Sequence, residues 1–330
     1  MSRSLLKAAH FSAAVALLWT AGHAAAETAY DLRALSVSQG FTVLNNQQVN
    51  ETAHYFDGFA NGDPLTGGQY TGAATPATLY SVRNNGFSAG SEAPVNDYFG
   101  QTYGVGRLRF GVGDAVESPS VLDTPGTVAM ANRITLRDPD AGPFLTSGAS
   151  FAANATFNFA TPDAGSYYGL RVSDSTGVGS VFDDVLDLRV VRNNLGQAAL
   201  NLRRLTSTGG LDLSNTGYGT VNLANFLFAG KTLADIAVVG FEFVYVPGGS
   251  NGLRADVELG DSNGQTIGRY DFFNASNGTI YPQIFHGEGF THVSAGATWT
   301  VTSVPEPGTY ALMLGGLTVL AWAARRRTRA

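Results

Sequence analysis

Apolar and polar residues alternate with a period of two along many stretches of this chain. From Phe151 to Phe159, the residues Phe151, Ala153, Ala155, Phe157 and Phe159 fall on one face of an extended backbone, and Asn154, Thr156 and Asn158 fall on the other. Leu253, Ala255, Val257 and Leu259 alternate with Arg254, Asp256 and Glu258, and Leu186, Leu188 and Val190 alternate with Asp187 and Arg189. The same reading predicts strands over 32–37, 107–110, 133–136, 168–172, 200–205, 236–246, 266–272 and 298–301. Between several of them lie turn-forming connectors: Asn193-Asn194-Leu195-Gly196, Pro247 to Gly252, and Asp261-Ser262-Asn263-Gly264. Such connectors predict hairpins and an antiparallel sheet. Gly240 predicts a bulge. No stretch has the period of an amphipathic helix, and 223–233 has room for one or two helical turns. Residues 58–105, rich in Gly, Asn and Thr, read as long loops or an irregular cap. The expected fold is all-β, an antiparallel two-sheet sandwich or jelly roll.

The two ends break this pattern. Arg3 and Lys7 precede the apolar run Phe11 to Trp19, and Ala24-Ala25-Ala26 supplies the small residues of an A-x-A cleavage site. Residues 1–26 therefore read as a secretion signal, with Ala24 and Ala26 flanking the cut and Glu27 as the first mature residue. At the other end, Val304-Pro305-Glu306-Pro307 is followed by an uncharged run, Thr309 to Ala324, and then Arg325-Arg326-Arg327. Two prolines hold the triplet extended and open to a peptidase. The run would rise about 24 Å as a helix, slightly short for a bilayer. The arginines act as a stop-transfer cluster that stays on the cytoplasmic side. The expected domains are thus a signal peptide (1–26), an exported β body (27–303) and a sorting tail (304–330). The tail crosses the inner membrane transiently through 309–324.

The segment VPEPGTYALMLGGLTVLAWAARRR resembles the PEP-CTERM sorting signal. That resemblance implies processing near the triplet by an exosortase, after handling by the secretion machinery and signal peptidase. It also implies a destination at the cell surface or in an exopolysaccharide matrix. Tyr55-Phe56-Asp57-Gly58-Phe59 resembles the opening strand of concanavalin A-like lectin and glucanase sandwiches, which implies architecture only.

Composition narrows the chemistry. The 330 residues include no Cys, which excludes disulfides, thiol nucleophiles and Cys-ligated metals. Six of the 20 Lys and Arg residues and one of the 26 Asp and Glu residues lie in the terminal segments. The body therefore carries a net charge near −11, which disfavours nucleic-acid binding.

Candidate sites are few. Asp183, Asp184 and Asp187 are the most clustered acids, but the E-x-D-x-E pattern of the sandwich glucanases is absent, and solvated turn acids explain them. No G-x-S-x-G occurs, and His54, His286 and His292 are the histidines left in the body. His286 with Glu288 is a candidate loop pair short of a full metal site. The oxygen-rich loops with Asp57 and Asp63, and with Asp261 and Asn263, are the candidate ligands of a structural calcium. No other cofactor is expected. Plentiful aromatics suit either a core or a sugar-stacking surface. The chain reads as a non-enzymatic exported protein, structural or adhesive and polysaccharide-binding. The alternative is a secreted glycan-acting hydrolase on the same scaffold.

Overall fold

The computed structural model describes residues 30–45, 47–59, 69–71, 80–84, 101–104, 106–110, 126–136, 144–174, 184–207, 213–248, 252–272 and 289–303. The signal peptide and residues 304–330 lie outside them. The chain separates into two compact units. One comprises Thr28–Val116 and Ala129–Thr300. The other comprises Met1–Glu27, Glu117–Val128 and Val301–Ala330, and its described part is only 126–128 and 301–303.

In chain order the strands are β1 (Tyr30–Gln39), β2 (Thr42–Leu44), β3 (Gln47–Val49), β4 (Ala53–Asp57), β5 (Gln69–Thr71), β6 (Tyr80–Asn84), β7 (Gln101–Gly104), β8 (Arg107–Phe110) and β9 (Gly126–Leu136). They continue with β10 (Phe151–Asn158), β11 (Tyr167–Ser173), β12 (Asp184–Arg192), β13 (Ala198–Ser207), β14 (Leu213–Asn222), β15 (Val238–Tyr245), β16 (Leu253–Gly260), β17 (Thr266–Asp271) and β18 (His292–Ser303). A nine-stranded sheet runs β17-β16-β15-β10-β1-β4-β5, with β8 on the Tyr30–Leu32 end of β1 and β7 beside β8. A seven-stranded sheet runs β14-β13-β12-β11-β18-β9-β6, and β2 and β3 form a small hairpin. Among the described residues no helix is long and apolar enough to cross a membrane.

The two sheets form a sandwich, and alternation in the sequence sets its inner faces. On β15, Val239, Phe241, Phe243 and Tyr245 are buried while the residues between them are only half-buried. Tyr168 of β11 is fully buried and stacks on Tyr30 of β1 with ring centroids 5.1 Å apart. It also meets Phe157 of β10 at 5.1 Å and the edge of Phe241 at 6.2 Å. One ring of the seven-stranded sheet thus touches three strands of the other. Each such side chain contributes about 1.5–3 kcal/mol by leaving water. The Tyr168 hydroxyl donates to the Ala160 carbonyl at 3.0 Å and accepts from the Ala160 amide at 3.2 Å, so its polar end is satisfied inside the core.

All eleven strands read from the sequence lie within these elements to within two residues. Three points differ. Gly240 is no bulge, because β15 pairs in unbroken register with both β10 and β16. Val239 and Phe241 both point inward, so Gly240 sits on the outer face and the alternation continues through it. The register shifts occur instead at Leu32/Ala34, Asn201/Arg203 and Leu259/Gly260. Residues 58–105 contain β5, β6 and β7, short strands too polar to announce themselves. Strand β14, also polar and Gly-bearing, forms because β13 offers it an edge. As expected, the stretch around 223–233 holds two helical turns, both 3-10, Leu223–Phe226 and Leu233–Asp235.

Candidate functional site

The calcium candidates are held by the protein itself. Asp57 is buried on β4, accepts the Phe59 amide at 2.6 Å and the Tyr55 hydroxyl at 3.2 Å, and burial raises its pKa. Asp261 closes the β16–β17 hairpin. Its Oδ1 accepts the amides of Asn263 and Gln265, each at 3.0 Å, and its Oδ2 faces Lys231 Nζ at 3.4 Å. Those backbone amides, first that of Gln265, hold its pKa low. Asn193 does the same in the β12–β13 hairpin, accepting the amides of Leu195 and Gln197 at 2.9 Å each. Both are Asx turns completed by a left-handed glycine, Gly264 at φ 75° and Gly196 at φ 77°. Strands β1, β10 and β15 separate β4 from β16, so Asp57 and Asp261 do not converge. Among the described residues, no group of three or more acids or histidines is placed to hold a metal ion. Asp63, Asp183, His286 and Glu288 lie outside the described residues, as do the sorting and cleavage residues. His54 pairs with Glu51 at 3.3 Å, and His292 Nδ1 contacts Thr291 Oγ1 at 2.8 Å.

Asp187 is placed quite differently from the solvated turn acid expected of it. It lies on the outer face of the seven-stranded sheet, is only 4 % exposed, and meets the Arg171 guanidinium with both oxygens, at 2.5 and 2.8 Å. Burial works to raise its pKa. The charge and hydrogen bonds of Arg171, with Arg189 and Arg203 behind it, outweigh burial and leave it lowered. Strand pairing assembles this cluster. Arg171 of β11 and Arg203 of β13 are the two cross-strand partners of Asp187 on β12, and Arg189 follows on the same face. Arg189 donates to Asn201 Oδ1 at 3.0 Å and lies over the Tyr167 ring at 4.5 Å. Gly169 of β11 and Gly296 of β18 face each other, leaving the sheet bare between these walls. The result is a groove of about 60 Å³ lined by Arg133, Tyr167, Arg171, Arg189, Ser294 and Thr298 among others. Gly169 admits no side chain, since a Cβ there would stand 2.1 Å from the Leu188 carbonyl oxygen.

The outer face of the nine-stranded sheet carries the opposite charge. Asp256 of β16 has Glu242 of β15 and Asp271 of β17 as its cross-strand partners, with Glu258 two residues along. Arg254 reaches Asp256 at 3.1 Å and Glu242 at 3.5 Å, and Arg269 stands 3.9 Å from Asp256. Thr266 donates to Glu258. Asp256 is 7 % exposed, and its Oδ1 is buried without a hydrogen-bond partner. Burial, then the charge of Asp271, pushes its pKa up to about 6. Glu242, Asp256 and Glu258 line a depression of about 360 Å³ together with Asn154 and Thr156. Sequence reasoning passed over Asp256 and Glu258 as the polar half of a strand; the available signal was two acids two residues apart in a regular alternation.

Residues 303–327 match the family of the PEP-CTERM protein-sorting motif. The chain carries a PEP-CTERM sorting motif in this tail, which is the mark of an exported protein sorted by an exosortase. The match is confined to the tail and leaves the sandwich itself unassigned. No curated protein and no solved structure gives a significant match, so the likeness of Tyr55–Phe59 to concanavalin A-like sandwiches is unconfirmed.

Proposed function

We propose that the sandwich is the exported cargo: a non-catalytic surface or matrix protein, structural or adhesive, that binds polysaccharide. The observation that carries this reading is the join at Ser303. Strand β18, hydrogen-bonded in the seven-stranded sheet, ends where the sorting motif begins, with no further domain between them. Delivery of the motif is therefore delivery of the sandwich. On this reading the signal peptide leaves after Ala26, and the tail holds the membrane until the exosortase acts. The test is fractionation of cells with and without Pro305→Ala/Pro307→Ala. Wild-type chain is expected in the surface or matrix fraction and the variant in the inner membrane; equal surface recovery of both would refute the assignment.

A second reading rests on Asp256 and Glu258. They share a strand face in a groove, with Asp256 raised to about 6 and Glu258 hydrogen-bonded by Thr266. An acid of raised pKa with a second carboxylate on the same strand face is the pairing that glycoside hydrolysis uses. Against it, Asp256 is engaged by Arg254, which favours its ionised form. Polysaccharide hydrolysis by wild-type protein that disappears in both Asp256→Asn and Glu258→Gln would favour this reading over the first.

A further inference from the structure

The outer face of the nine-stranded sheet sets three carboxylates around one bare position. Gly240 and Glu242 lie two residues apart on β15, and their cross-strand partners on β16 are Glu258 and Asp256. These four positions form a rectangle about 5 Å across the strands and about 7 Å along them. Three corners are acids, and the fourth has no side chain. Gly240 sits in ordinary strand backbone, and a Cβ placed on it would come no closer than 3.8 Å to the Glu258 carbonyl oxygen. Neither conformation nor a close neighbour therefore requires glycine here. The missing side chain instead leaves the sheet bare in the floor of the depression of about 360 Å³.

The lining is short of positive charge. Glu242, Asp256 and Glu258 share it with a single cation, Arg269. Arg254 stands beside it, 3.1 Å from Asp256 and 3.5 Å from Glu242. Both arginines are about half exposed, where ion pairs are weak. Asp256 is only 7 % exposed, and its Oδ1 has no hydrogen-bond partner. Burial, and then the charge of Asp271, pushes its pKa up to about 6. A buried acceptor of this kind is ordinarily matched, and a donor that carries positive charge matches it best.

The geometry selects among cations. Among the described residues no group of three acids is placed to hold a metal ion, whose oxygen ligands stand about 2.3–2.6 Å away. An ammonium has three donors, forms hydrogen bonds of about 2.8 Å and turns to suit acceptors set farther apart. On the other side of β15 stand Thr156, the partner of Gly240, and Asn154, the partner of Glu242. Both are half-buried and line the depression. Their hydroxyl and amide donate as well as accept, as the hydroxyls of a sugar ring require. About 360 Å³ falls within the range of small-ligand pockets, roughly 300–1,000 Å³, and takes a sugar ring rather than a lone ion.

We propose that this depression binds an amino-sugar residue of a cationic polysaccharide, with its ammonium among Glu242, Asp256 and Glu258 and its ring hydroxyls toward Asn154 and Thr156. The proposal deepens the polysaccharide-binding reading and rests on it. Full-length protein in detergent is passed over immobilised chitosan, chitin and dextran near neutral pH. Chitosan, the polymer with free amines, is expected to bind; chitin and dextran are not, and affinity falls as salt rises. Two variants test the site. Gly240→Val fills the bare corner, changes no charge and suits a strand. Glu242→Gln removes one carboxylate whose ion pair is exposed. Each is expected to weaken chitosan binding about tenfold while the melting temperature holds. Glu51→Gln, an equal loss of charge at an exposed position just ahead of β4, three strands from β15, is expected to leave binding unchanged.

Chitosan bound as tightly by Gly240→Val and Glu242→Gln as by wild type overturns the site. Chitin or dextran bound as well as chitosan overturns the demand for an amine and leaves the polysaccharide reading standing, whereas binding of no polymer removes both. Free glucosamine competing as well as chitosan, residue for residue, would make a small amine the ligand and overturn the polysaccharide assignment. Polylysine held in place of chitosan would put a basic protein segment in the depression and likewise overturn it.

Discussion

Asp187 and Asp256 occupy equivalent places on the two outer faces of one sandwich. Each is a nearly buried carboxylate in the middle of a strand, flanked by charged cross-strand partners. Their chemistry differs because of those partners. Asp187 faces arginines on both sides, and its pKa is lowered. Asp256 faces Glu242 and Asp271, keeps one oxygen unpartnered, and is raised to about 6. Burial acts on both in the same direction, so the neighbours decide the outcome. The pairing register that supplies them is thus as consequential as the residue itself.

The largest expected effect comes from breaking the saturated pair. Asp187→Ala leaves Arg171 buried with its charge uncompensated and is expected to lower stability by about 3–5 kcal/mol in urea titration. Replacing the pair together, as Arg171→Met/Asp187→Leu, should recover most of that loss. A double variant as unstable as the single one would mean the salt bridge itself, rather than the stranded charge, carries the energy.

Next is a gain. Asp256 holds a proton in the folded state at pH values where the unfolded chain has released it. Its contribution therefore falls as pH rises from the ordinary carboxylate range through about 6, and the penalty is full above that. Asp256→Asn should stabilise the protein by about 1–2 kcal/mol at pH 8 and change little at pH 4. Asp187 has the opposite sign: its stabilisation is present above the ordinary carboxylate range and is lost as pH falls through its lowered value. Melting curves of wild type, Asp187→Ala and Asp256→Asn across pH 3–8 separate the two. Parallel profiles would show that the faces are electrostatically alike after all.

The smallest effects belong to the hairpins that close each sheet. Asn193→Ala and Asp261→Ala each remove a side chain that caps two backbone amides; the loss expected for Asn193→Ala is about 1 kcal/mol, and Asp261→Ala is expected to lower the melting temperature. With Asp261 Oδ1 occupied in this way, chelator is expected to shift the melting temperature by less than about 1 °C. A larger drop would return calcium to these loops.

Much of the body was legible in advance. Phe151 to Phe159 and Leu253 to Leu259 alternate so regularly that strand, inner face and outer face followed from the order of residues. The Asn193 and Asp261 turns were legible because Asx turns and left-handed glycines are local chemistry. The polar strands β5, β7 and β14 were not, because they exist by pairing with an edge that only the folded sheet provides. The arginine groove was equally hidden. Arg133, Arg171 and Arg189, which line it, are spread over three strands and nothing in their spacing connects them.

The order of residues determined the sorting motif and which side of each strand turns inward, since a sorting tail and a period-two pattern are properties of contiguous segments. Which charges meet across neighbouring strands was decided by tertiary structure alone. Register sets Arg171 and Arg203 beside Asp187, and Glu242 and Asp271 beside Asp256, and a shift of one residue would turn each of those side chains to the other face.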